Sequence, residues 1–149
     1  MNMQEKKMSL SSTQSLKICC YGSSSSDTPS KYLTEAYNLG KNLAIRGHVC
    51  VNGAGPTGCM GSLNEGASDA GGNIVGVIHE MFAVDGFGPH SVFKEGQYSN
   101  STLIMAGGDD LQERKKLLVE EADAIVVLPG GPGTWDEVRK TFMSMIEGT

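Results

Sequence analysis

The sequence predicts an α/β domain built on a mostly parallel sheet, and three observations carry that expectation. Short apolar runs suited to buried strands alternate with amphipathic stretches suited to helices. The 20 glycines gather at the apparent strand-to-helix turns. With 149 residues, 39% of them hydrophobic, the chain suffices for one domain with one ordinary core.

Leu16 to Tyr21 (LKICCY) is an apolar run ending at Gly22 and four serines, as a buried parallel strand before a turn would. Asp27-Thr28-Pro29 signals a helix start. Leu33, Ala36, Leu39, Leu43 and Ala44 form its apolar face, and Arg46-Gly47 closes it. His48 to Asn52 is the second strand, followed by the Gly53 to Gly58 loop. The next helix carries Met60, Leu63, Ala67 and Ala70 on one face and stops at Gly71-Gly72. Asn73 to Ile78 is the third strand. Residues 79–100 are less regular, and a loop of that length is usually functional or mobile. Thr102 to Ala106 reads as a fourth strand, Asp109 to Glu121 as a sparsely apolar helix, and Asp123 to Leu128 as a fifth strand. Thr134 to Ile146 is the final helix, with Trp135, Val138, Phe142, Met145 and Ile146 expected inward. Residues 1–15 are polar and read as a disordered tail, leaving 16–149 as the folded domain.

A net charge of −5 argues against a protein that coats nucleic acid. It leaves a small anionic ligand open, because backbone amides bind phosphate without net positive charge. Cys19, Cys20, Cys50 and Cys59 read as small buried residues of a reducing compartment, and none has metal-ligand spacing. His48, His79 and His90 are too scattered for a metal site or a triad. Tyr21, Tyr32 and Tyr37 read as packing residues. No run reaches the ~18 apolar residues of a membrane span, and the N-terminus has no apolar signal core. A cytoplasmic protein without membrane contact is expected.

In a parallel sheet the turns after Tyr21, Asn52 and Leu128 fall on one edge, where α/β proteins bind ligands. Gly130-Gly131-Pro132-Gly133-Thr134 joins a strand to a helix, so it can present helix N-terminal amides to a phosphate or serve as a tight turn only. Thr134-Trp135-Asp136-Glu137 has the spacing of a capping box, so Glu137 either caps the helix or supplies a carboxylate to the pocket. Arg114, in Glu113-Arg114-Lys115-Lys116, either lies on a solvated face or grips an anion or a ring nitrogen. Gly53-Ala54-Gly55-Pro56-Thr57-Gly58 matches a dinucleotide fingerprint but follows the second strand, without a clean acidic partner about 20 residues on.

Pro129 to Glu137 resembles the P-G-G-x-G-T-x-x-E signature of the LOG (Lonely Guy) family of cytokinin riboside 5'-monophosphate phosphoribohydrolases, also called lysine decarboxylase-like. Tyr21-Gly22-Ser23-Ser24, Gly53 to Gly61, Gly71 to Ile78 and Leu111 to Lys115 extend the resemblance in order along the chain. It departs from the family pattern at Leu111-Gln112, at Ala54, Pro56 and Pro132, and at Thr149, beyond which family members continue with a further strand and helices, so that those elements are expected to be either cut off or lost. The resemblance implies a Rossmann-like three-layer sandwich, a homodimer, and hydrolysis of a nucleoside 5'-monophosphate (AMP or an N6-substituted cytokinin nucleotide) to free base and ribose 5-phosphate. Arg114 and Glu137 match the family's catalytic pair. Gly130, Gly131, Gly133 and Thr134 would hold the 5'-phosphate, with Gly22, Ser23 and Lys115 beside them. No cofactor and no metal are implied. The competing expectation is a non-catalytic nucleotide- or cofactor-binding carrier of the same fold.

Overall fold

The computed structural model describes residues 14–80, 96–109, 112–120 and 122–148. Residues 1–13 of the expected tail and 81–95 of the irregular segment lie outside the described residues.

The elements run β1 (Lys17–Tyr21), α1 (Ser30–Ile45), β2 (Val49–Asn52), α2 (Gly58–Asp69), β3 (Ile74–His79), β4 (Ser101–Ala106), α3 (Gln112–Glu120), β5 (Ala124–Val127) and α4 (Pro132–Glu147). The five strands form a parallel sheet in the order β4-β3-β2-β1-β5. The order steps one way from β1 to β4 and then reverses to place β5 on the other side of β1. Ile18 pairs with Cys50 on one side and Ala124 on the other, and Tyr21 reaches Val127. The carboxyl ends of β1 and β5 therefore flank a switch point, the place where open α/β sheets bind ligands.

Side chains alternate across each strand and divide the core into two layers. Ile18, Cys20, Cys50, Ile74 and Ile78 pack under α1 and α2 with Ala36, Leu43, Leu63 and Ala67. Cys19, Tyr21, Val51 and Val77 face the opposite way, against Leu118 of α3 and Val138 of α4. This is the three-layer α/β sandwich expected from the sequence. The four cysteines are free thiols buried in these layers. Burial pushes the Cys19 thiol up to about 12.

Helices α1 and α2 end as their glycines predict. Gly47 and Gly71 follow the C-caps at positive φ. His48 N–H donates to the Leu43 carbonyl and Gly72 N–H to that of Ala67, which closes a Schellman motif at each end. His48 is structural, since its Nδ1 accepts from the Leu16 N–H at 3.2 Å.

Two expectations are corrected. Helix α4 begins at Pro132 with Gly131 as its N-cap, which has no side-chain cap. Thr134 thus lies inside the first turn, and Glu137 is too far along the helix to reach back as a capping-box partner. The second correction concerns the face of α4. Val138 packs inward, but Trp135, Phe142, Met145 and Ile146 are 53–69% exposed. The apolar stripe is real; among the described residues nothing covers it.

A buried amide pair shapes the loop after β2. Asn52 Nδ2 donates to Asn64 Oδ1 at 2.6 Å, and Asn52 Oδ1 accepts from Asn64 Nδ2 at 3.3 Å and from the Ala54 N–H at 2.9 Å. Ala54 sits at φ 62, a conformation that L-residues adopt at a cost. The Asn52 bond to its amide helps hold it there. Asn64→Ala is expected to destabilise the fold by about 1–3 kcal/mol in urea unfolding, because it strands the buried Asn52 amide. The Asn52→Ala/Asn64→Ala double variant should lose less than the sum of the two single losses.

Candidate active site

Three loops meet at the carboxyl edge of the sheet. Ser23 N–H donates to the Pro129 carbonyl at 3.0 Å, joining the β1 and β5 loops. Thr57 Oγ1 donates to the Ser24 carbonyl at 2.5 Å, joining the β1 and β2 loops. The clustering expected from parallel strand order is therefore direct contact.

The loops have different tasks. Ser23 Oγ accepts from the Cys59 N–H at 3.1 Å, and the Ser23 carbonyl accepts from the Met60 N–H at 3.0 Å. The Cys59 and Met60 amides in the first turn of α2 are thus satisfied from within the chain. Gly22 is buried between Cys59 and Leu128. The β1 loop, including Ser23, is scaffold in this geometry. The β5 loop differs. Gly131 and Gly133 are exposed, with open space where a Cβ would stand. Thr134 is buried, and a Cβ on Gly130 would stand 2.1 Å from its Oγ1, so only glycine fits there. The first turn of α4 therefore presents its N-terminal end to solvent from a loop with no side chain in the way.

Beside this loop lies a buried ion pair. Arg114, from α3, donates from Nε to the Val77 carbonyl at 3.0 Å and from Nη2 to the Gly53 carbonyl at 3.0 Å. Its Nη1 faces Glu137 Oε1 at 3.5 Å, and the two side chains are only 13% and 12% exposed. Gly53 makes room for the guanidinium, because a Cβ there would stand 2.2 Å from Nη2. The first glycine of the fingerprint-like loop is thus explained by the arginine it seats. Arg114 is therefore no solvated-face residue.

Burial acts against both charges. It lowers the Arg114 pKa and raises that of Glu137, and in each case the partner's charge works in the opposite sense. Lys115 pairs with Asp136, whose carboxyl is held below its ordinary range by that hydrogen bond. Asp136 also meets Arg139 at 3.8 Å. Arg114, Glu137 and the Gly130–Thr134 loop are brought together, whereas Lys115 is engaged by Asp136 and Ser23 by α2. The sequence reading missed Asn52 and Asn64; a polar pair at a strand end and inside the following helix carries no signature of its own.

Fold and site define a parallel α/β protein with an arginine–carboxylate pair and an open helix N-terminus at one sheet edge. The chain belongs to the SLOG cluster4 family, whose description matches residues 15–145. It is 34% identical over 125 residues to a cytokinin riboside 5'-monophosphate phosphoribohydrolase of Mycobacterium tuberculosis, covering 83% of this chain and 61% of that protein. It is 33% identical over 126 residues to the one of Oryza sativa subsp. japonica, covering 85% and 48%. The chain thus spans about half to three fifths of these relatives' lengths. The molybdenum cofactor carrier protein of Chlamydomonas reinhardtii superposes with a TM-score of 0.65 at 23% identity, covering 89% of this chain and 73% of that one, a likeness of fold. Among the described residues no helix is long and apolar enough to cross a membrane.

Gly53→Ala should displace the guanidinium and cost about 1–3 kcal/mol in urea unfolding. Gly131→Ala, which meets nothing within 4 Å, should stay within about 0.5 kcal/mol of wild type. Equal losses would show that the Arg114 seat is not what Gly53 provides.

Proposed function

We propose that this chain hydrolyses the N-glycosidic bond of a nucleoside 5'-monophosphate, AMP or an N6-substituted cytokinin nucleotide, to free base and ribose 5-phosphate. The observation that carries the reading is the buried Arg114–Glu137 pair set beside an open glycine loop at the N-terminus of α4. The relatives' activity supports it.

In this mechanism the 5'-phosphate docks on the first turn of α4, where Gly131, Gly133 and Thr134 offer amides and a favourable partial charge. Lys115 adds positive charge nearby. The bond from ribose C1' to the base nitrogen breaks, and its electron pair leaves with the base. The Glu137 carboxylate stabilises the positive charge that develops on the ribose and orients water. The water oxygen bonds to C1', and the proton it gives up ends on the base. Arg114 is tethered at two carbonyls, so it holds Glu137 in place and keeps it ionised. Its Nη1 is the part of the fork nearest the carboxylate. A homodimer in the cytoplasm belongs to the same proposal.

Glu137→Gln is expected to lower base release from AMP and its N6-isopentenyl derivative by about 10²-fold or more. Nucleotide binding should survive in the variant. Nucleotide binding without base release in the wild type would instead indicate a carrier. The pH dependence has a definite sign. The carboxylate is the working form, and burial raises its pKa above the ordinary 4.5. Activity should therefore fall as pH drops through that raised value, with an acid limb above 4.5 in the kcat/KM profile. A profile flat through this region would remove Glu137 from the reaction.

A further inference from the structure

A part-buried hydroxyl pair close to Glu137 takes no part in the reaction described above. Tyr21, the last residue of β1, is 2% exposed, and its Oη stands 2.8 Å from Thr141 Oγ1. Thr141 Oγ1 donates its one proton to the Glu137 carbonyl at 3.0 Å. Tyr21 is therefore the donor between the two hydroxyls. The path runs from the end of β1, through Thr141, to the backbone of Glu137.

The attachment of α4 makes this path consequential. Only Thr134 is buried along the helix, and Val138 is partly buried against the second core layer. The outer face carries Phe142, Met145 and Ile146, each more than half exposed. Glu137 and Thr141 are one turn apart and share a face. Fixing Thr141 against β1 therefore fixes the direction in which Glu137 leaves the helix. β1 is the central element at the switch point, bonded to strands on both sides.

We propose that Tyr21 and Thr141 are positioning residues that aim the Glu137 carboxylate at Arg114. Their catalytic consequence rests on the phosphoribohydrolase reading; their structural consequence does not. The charged and titratable groups facing Glu137 are Arg114 and Lys115 from α3, Asp136 from α4, and Tyr21 and Cys19 from β1. Loosening α4 weakens the contact with Arg114 while the carboxylate stays buried, so its affinity for a proton rises.

The test titrates the Glu137 carboxyl by carbon-13 NMR in the full chain, for wild type, Tyr21→Phe, Thr141→Val and Thr141→Ser, and measures base release from AMP in parallel. Phe keeps the ring and Val keeps the shape, so the core stays filled. The Phe and Val variants should titrate at higher pH than wild type. Their kcat should fall about 10- to 100-fold with little change in KM, and their acid limb should move up. Thr141→Ser, which keeps the hydroxyl, should behave as wild type. An unmoved titration in both Tyr21→Phe and Thr141→Val overturns the proposal, as does a Thr141→Ser variant as impaired as Thr141→Val. If wild type releases no base, the functional reading fails, and the NMR titration still decides whether these two residues position Glu137.

Discussion

The guanidinium of Arg114 ties two neighbouring strands of the sheet to a helix that packs beside them. One nitrogen is bonded to Val77 within β3, a second to the loop after β2, and the third faces a carboxylate on α4. Burying a charge in this way is costly unless every donor finds a partner. Here the partners are two main-chain carbonyls and Glu137. The carbonyls have to be in the right places, which puts demands on the loop after β2. Gly53 must lack a side chain, and Ala54 must hold a positive φ. The Asn52–Asn64 pair meets the second demand by bonding the Ala54 amide.

The same logic separates the two glycine-rich loops. Both lie between a strand and a helix, and both look suited to a phosphate. At α2 the free amides are bonded by Ser23, a residue from the β1 loop. That arrangement locks the β1 and β2 loops together and occupies the second and third amides of α2. At α4 the cap is Gly131, which has no side chain to do the same. An open helix N-terminus next to a buried acid–arginine pair is what distinguishes this edge of the sheet from an inert α/β scaffold.

Helix α4 therefore carries both the open amides and the carboxylate, yet among the described residues only Thr134 along it is buried. It meets the sheet through Val138 and Thr141, and α3 through the ion pairs of Asp136 and Glu137. Small errors in its rotation would separate the carboxylate from Arg114. A tyrosine that reads from sequence as a packing residue supplies the bond that sets this rotation.

Much of the fold was legible in the sequence, because local patterns govern it. Apolar runs placed the five strands, glycines placed the ends of α1 and α2, and the alternation of strand and helix dictated parallel pairing. The Gly130–Thr134 loop and the candidates Arg114 and Glu137 were legible through the ordered resemblance of their motifs. Other features depend on residues far apart in the chain, and periodicity cannot report them. The spacing of Thr134 and Glu137 fits a capping box, but the helix starts two residues earlier, so the spacing has no capping meaning. The apolar stripe of α4 shows which residues align, not what covers them. The anchoring of Arg114 on Val77 and Gly53 spans 37 and 61 residues of chain. Only the folded sheet, by bringing β3 and the end of β2 under α3, turns a charged stretch of helix into a buried partner for Glu137.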